Sequence, residues 1–157
     1  MGTGESRGFR RTAPFDDLVE LAEGVYEAAC ESAVDWTDGL GAYVLLVSGR
    51  ADSLACAPLG LVPDQDGLRL LYGLRPLVGD SVSGTILCAA LPEAAAASGR
   101  DARRVMVLLR TRDGRRWMRQ ATYARLDDGI VRTGEWIDDL RNVPAWVRAY
   151  WDAELFI

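Results

Sequence analysis

Apolar residues recur at helical spacing in Phe15, Leu18, Ala22, Val25, Ala29 and Ala33, while Asp16, Glu20, Glu23, Glu27 and Glu31 take the opposite side. This pattern predicts an amphipathic helix running to about residue 34. Its start is marked by Thr12 as a cap, Pro14 with its fixed φ, and Asp16 and Asp17 at the positive end of the helix dipole. Three short apolar segments follow, at residues 42–48, 54–62 and 68–74, separated by Gly, Pro and Asp turns, and these read as strands. Pro58 interrupts the second of them. Residues 83–97 are alanine-rich and read as a helix that Pro92 kinks or splits. Residues 104–112, 115–126 and 130–137 read as a three-stranded meander, because Asp113-Gly114 and Asp128-Gly129 are two-residue hairpin signals. A final helix is expected after Asn142 as cap and Pro144 in the first turn, with Trp146, Val147, Tyr150, Trp151 and Leu155 on its apolar face.

The resulting order, α-βββ-α-βββ-α, is that of an α+β domain: an antiparallel sheet in two three-stranded segments packed by about three helices. A chain of 157 residues is long enough to bury a core without disulfide or metal. Residues 13–157 are therefore read as one domain, preceded by a disordered N-terminal tail over residues 1–12.

Two-residue loops would set the register of the meander and so sort its side chains between two faces. Arg110 then lies opposite Trp117, Arg104 opposite Tyr123 and Arg125 opposite Arg132. One face collects Arg104, Arg110, Arg112, Arg115, Trp117, Arg119, Tyr123, Arg125, Arg132 and Trp136, and Arg116 points the other way. The opposite face carries Val105, Val107, Leu109, Met118, Ala124, Leu126, Val131 and Ile137 and is the expected core. Within that core fall Gln120, Thr122 and Glu135, the last two directly opposite each other. A one-residue bulge would change this partition.

The charge pattern gives the first face its interest. All eighteen basic residues are arginine, with no lysine or histidine, and eight of them lie between Arg100 and Arg119. Residues 12–49 hold eight carboxylates and no base, and the whole chain carries a formal charge of -5. Arginine in place of lysine is what a GC-rich bacterial genome encodes, but its clustering is not a matter of composition. Arg, Trp and Tyr are enriched at interface hot spots. The expectation is a non-catalytic binding protein whose Arg/Trp/Tyr face meets an acidic protein segment or a second subunit in a homo-oligomer. Charge reversal at Arg110 and Arg119 should then abolish capture with the fold intact. Nucleic acid ranks below a protein partner, because net acidity opposes a phosphate-binding role. The blander expectation is a solvated face, or one covered by the acidic first helix.

An alternative of another class is a small cofactor-independent enzyme or ligand carrier. Glu135, desolvated beneath the sheet, would act as general acid or base, and Thr122 and Gln120 would orient the substrate. The other apparent motifs fail on chemistry. Ser81 sits in a Gly-Asp-Ser block like that of serine esterases, but the chain has no histidine base. The glycine spacing from Gly79 to Gly84 leads to Thr85 where a phosphate-binding loop needs lysine. Asp64-Gln65-Asp66-Gly67 lacks the later ligands of a calcium loop. Cys30, Cys56 and Cys88 are far apart and odd in number, which reads as free thiols in a reducing cytoplasm. No cofactor or metal is expected. No membrane association is expected either, since the longest apolar run is too short to span a bilayer.

Overall fold

The computed structural model describes residues 14–32, 42–50, 53–61, 78–92, 102–126, 129–132, 140 and 143–156. They form an α+β arrangement in which a single antiparallel sheet lies between two helices. The elements are α1 (Phe15–Ser32), β1 (Ala42–Arg50), β2 (Ser53–Leu61), β3 (Val82–Pro92), β4 (Ala102–Thr111), β5 (Arg116–Leu126), β6 (Gly129–Arg132) and α2 (Ala145–Asp152). The strand order is β2-β1-β3-β4-β5-β6. β1 and β2 form a hairpin, β3 returns to pair with the other side of β1, and β4 and β5 continue as a meander.

The three-helix arrangement with two three-stranded segments is not matched. Residues 83–92 of the expected middle helix belong to strand β3, whose positions from Val82 to Ala90 are all buried, and residues 93–97 lie outside the described residues. A central strand covered on both faces reads as a continuous apolar run with no period-2 alternation, and alanine-rich sequence then mimics a helix. The expected strand at residues 68–74 lies outside the described residues. The final helix begins after Pro144, which takes the N-cap position without a side-chain cap hydrogen bond. Pro144 thus precedes the first turn instead of lying in it, and Asn142 lies outside the described residues.

Both faces of β4 are buried. Val105, Val107 and Leu109 pack under α1 with Ile86, Cys88, Leu18, Ala22 and Tyr26. Met106 and Leu108 pack under α2 with Val44, Leu87, Trp146, Val147 and Tyr150. The helix stripe is as expected at Leu18, Ala22 and Ala29, all at most 4% exposed, with Tyr26 added to it. Close approach of α1 depends on Gly84: a Cβ there would stand 3.1 Å from the Arg110 carbonyl oxygen and 3.3 Å from Leu18 Cδ1. On the other face the Tyr150 hydroxyl is fully buried, 2.8 Å from Thr85 Oγ1, 3.0 Å from the Thr85 carbonyl and 3.2 Å from that of Leu108. No helix among the described residues is long and apolar enough to cross a membrane.

Candidate functional site

The arginine cluster is positioned by the β4–β5 turn, and that turn is one residue longer than a two-residue hairpin. Thr111 N–H donates to the Arg115 carbonyl at 3.0 Å, and Gly114 N–H donates to the Thr111 carbonyl at 3.1 Å. Arg112, Asp113 and Gly114 therefore form the loop, with Gly114 at φ +89°. This is the three-residue hairpin in which a type I turn is closed by a left-handed glycine. Thr111 Oγ1 donates to Asp113 Oδ1 and accepts from Arg115 N–H at 3.0 Å, which fixes the corner.

The extra residue moves the register by one and exchanges the faces of β5. Leu109, not Arg110, stands opposite Trp117; Arg110 stands opposite Arg116, Arg104 opposite Thr122, and Arg103 opposite Tyr123. The single Arg/Trp/Tyr face is thus overturned and divides in two. Met118, Gln120 and Thr122 likewise leave the face of Val105, Val107 and Leu109 and join that of Met106 and Leu108. At β6 the register places Arg132 opposite Tyr123 and Ile130 opposite Arg125. That is a slip of two positions from the expected pairing of Arg125 with Arg132, and an even slip does not exchange faces. Trp136 and Glu135 lie outside the described residues.

On the α1 face, Arg115, Trp117, Arg119 and Tyr123 come together along the seam between α1 and β5. The Arg115 guanidinium lies 5.3 Å from the centre of the Phe15 ring, and that of Arg119 lies 5.5 Å from Tyr26 and 5.7 Å from Trp117. Tyr123 donates to Cys30 Sγ at 3.1 Å. The acidic helix thus does cover part of this face, and it does so through rings and a thiol on its buried side. Arg115 remains open to solvent, its side chain 63% exposed and 3.5 Å from Asp113 in an exposed ion pair. Trp117, Arg119 and Tyr123 are half-buried. Burial, with the Tyr123 hydroxyl and the Cys30 thiol close by, pushes the Tyr26 hydroxyl well above its ordinary pKa, so it stays neutral.

On the α2 face, Arg104 and Arg110 are core residues. Arg104 Nε donates to Gln120 Oε1 at 2.8 Å, and Gln120 Nε2 donates to Met118 Sδ at 3.3 Å. Gln120 is fully buried within this packing, and Thr122 is half-buried opposite Arg104. Arg110 Nη1 donates to the Tyr150 carbonyl at 2.8 Å. Burial, and after it the like charge of Arg116, lowers the pKa of Arg110. Arg116, expected to point away from the cluster, is exposed beside this group with its guanidinium 5.3 Å from the Trp151 ring. Arg112 lies in the turn and belongs to neither face. Its guanidinium donates to the Val82 carbonyl at 2.8 Å and the Gly79 carbonyl at 2.5 Å and lies 5.1 Å from the Phe156 ring.

Four of the ten expected binding residues thus form a partly exposed seam, and α1 completes it with Phe15 and Tyr26. Tyr26 follows Ala22 at helical spacing, so its place on the stripe was available to inspection; the pairing with Arg119 depends on the hairpin loop length and was not. Among the described residues no three of His, Cys, Asp and Glu cluster closely enough to hold a metal ion. Comparison with protein-family models, with curated proteins and with solved structures gives no match.

Proposed function

We propose that the protein is a non-catalytic binding protein that engages an anionic partner, an acidic protein segment or a second copy of the chain, along the α1–β5 seam. The observation that carries this reading is the stacking of Arg115 and Arg119 on rings of the seam while Arg115 remains largely exposed. Stacking holds a guanidinium plane in place, so little side-chain entropy is left to lose when a carboxylate docks, and at Arg115 that carboxylate would compete with the exposed pair to Asp113. Trp117 and Tyr123 add half-buried ring surface of the kind that dominates interface energetics. Arg116, exposed on the other face of β5 beside Trp151, lies outside the seam. In this reading the protein works in a reducing, cytoplasmic compartment, which suits Cys30 and Cys88 as free thiols.

The test combines Arg115→Glu with Arg119→Gln. Self-association in sedimentation and capture of immobilised acidic peptides should both be lost, while the thermal midpoint moves little. Association unchanged by the double substitution would refute the proposal. Retained affinity for single-stranded DNA with a steep salt dependence would point to a phosphate partner instead.

A further inference from the structure

The opposite flank of α1 carries a groove of different character. It encloses about 590 Å³ between α1 and β1 and is lined by Asp17, Glu20, Leu21, Gly24, Val25 and Tyr43, with Ala28 at its far end. Its position follows from the width of the sheet. Among the described elements, α1 packs mainly over β4, with β3 and β5 beside it, and neither described helix packs mainly over the β1–β2 half of the same face. Two strands spaced about 4.8 Å apart make a strip about 10 Å wide, which is the diameter of one helix. Tyr43 and Leu45 of β1 are only half-buried there, as are Leu21 and Val25 of α1.

Two further observations bear on what fits the groove. Gly24 lies in the middle of α1, where glycine costs about 1 kcal/mol relative to alanine. A Cβ at that position would meet nothing within 4 Å, so packing among the described residues gives no reason for the glycine. A side chain absent at Gly24 and short at Ala28 does let another backbone approach closely. The second observation is charge: α1 carries six carboxylates and no basic residue, and Asp17 and Glu20 stand on the groove itself. An acidic rim disfavours a second copy of the same helix flank, which would bring carboxylates against carboxylates.

We infer that this groove is a docking site for a basic amphipathic helix of a partner protein, its apolar stripe seated on Leu21, Val25 and Tyr43 over Gly24 and its cations paired with Asp17 and Glu20. Helix-in-groove recognition uses apolar anchors at helical spacing, and the rim charges set orientation and association rate. The inference does not depend on the arginine seam. α1 therefore separates two surfaces of opposite sign, one for an anionic and one for a cationic partner.

The experiment uses the full chain and a fluorescent helical peptide of about 14 residues, enough to cover the roughly 16 Å from Asp17 to Ala28. The peptide has leucine at helical spacing and lysine elsewhere. Gly24→Leu, which fills the groove and raises helix propensity, and Asp17→Asn with Glu20→Gln should each weaken binding by about tenfold or more. Asp16→Asn with Glu27→Gln removes the same charge from the solvent side of α1 and should leave binding within about twofold. A peptide of identical composition in scrambled, non-amphipathic order should bind at least about tenfold more weakly. Equal weakening by the two charge pairs, or equal binding of the scrambled peptide, would show attraction to net charge alone and overturn the inference. It would also be overturned if Gly24→Leu dissociates an oligomer of the free protein, since a second copy would then fill the groove, or if binding appears only after residues 1–13 are removed. Arg115→Glu with Arg119→Gln should leave peptide binding unchanged, so the two surfaces fail or succeed independently.

Discussion

The guanidinium of Arg110 donates a 2.8 Å hydrogen bond to the main-chain carbonyl of Tyr150, in the last turn of α2. Cations at a helix C-terminus are favoured by the dipole and by the unpaired carbonyls there. Here the cation comes from the sheet, so the bond fastens α2 to β4. Arg110→Ala should cost about 2 kcal/mol, because it leaves the carbonyl without its charged donor. Arg110→Glu should release α2 altogether, in contrast to the expectation from the sequence that reversal there spares the fold. Arg115→Glu, on the exposed corner, should change stability by less than about 0.5 kcal/mol. Urea midpoints of the three variants, with near-ultraviolet dichroism reporting Trp146 and Trp151, check the contrast.

Tyr150 and Thr85 form the second fastening. Tyr150→Phe removes a fully buried hydroxyl and should cost about 1–2 kcal/mol. Thr85→Val, which removes the other partner with little change of shape, should recover part of that loss when the two are combined. A double-mutant cycle reads the coupling, and strictly additive costs would show that the 2.8 Å contact contributes nothing.

The β4–β5 loop supplies the third prediction. Gly114→Ala should destabilise by about 1–2 kcal/mol because φ +89° is left-handed for an L residue, and Gly114→Asn by less. Deleting Arg112 shortens the loop to two residues between the still-paired Thr111 and Arg115, so the faces of β5 are kept and the bonds of Arg112 to the Val82 and Gly79 carbonyls are lost. That chain should still fold, at a cost of about 1–3 kcal/mol, with amide dispersion in an NMR spectrum retained.

This corner also marks where legibility in the sequence ends. The existence and position of α1, β4, β5 and α2 follow from periodicity and turn residues, and Asp113-Gly114 does locate the bend. Whether Arg112 belongs to the loop or to the strand leaves no trace in composition. It decides whether Arg104 and Arg110 share a face with Trp117 or with Gln120. The strand β3 was hidden for another reason: Ile86, Leu87, Cys88, Ala89 and Ala90 are buried whichever way they point, so no alternation survives to be read. Those two facts turned a single proposed face into a seam on one side and a core on the other.

Alkaline pH provides the fourth prediction. Burial pushes the Cys88 thiol from its ordinary 9.0 up to about 11, with hydrogen bonding to Tyr43 opposing and Cys30 adding to the rise. Burial likewise holds the Tyr43 and Tyr150 hydroxyls above their ordinary range. Between about pH 9 and 11 the unfolded thiol loses its proton and the folded one keeps it, so the unfolded state binds fewer protons and stability falls as pH rises. The tyrosines continue the fall above pH 10. Urea midpoints should be level from pH 7 to 8.5 and decline above 9, with Cys88→Ala flattening the first part of the decline.

β4 is paired on both edges and covered on both faces, by α1 on one and α2 on the other. No local opening can bring its amides to solvent without lifting a helix or splitting the sheet. Hydrogen exchange at Val105 through Leu109 should therefore be the slowest among the described strands and should track the free energy of global unfolding. Protection in α1 should be lost first, by parting the helix from Gly84, so a partner bound on either flank of α1 would register as slower exchange in that helix while β4 keeps its rate.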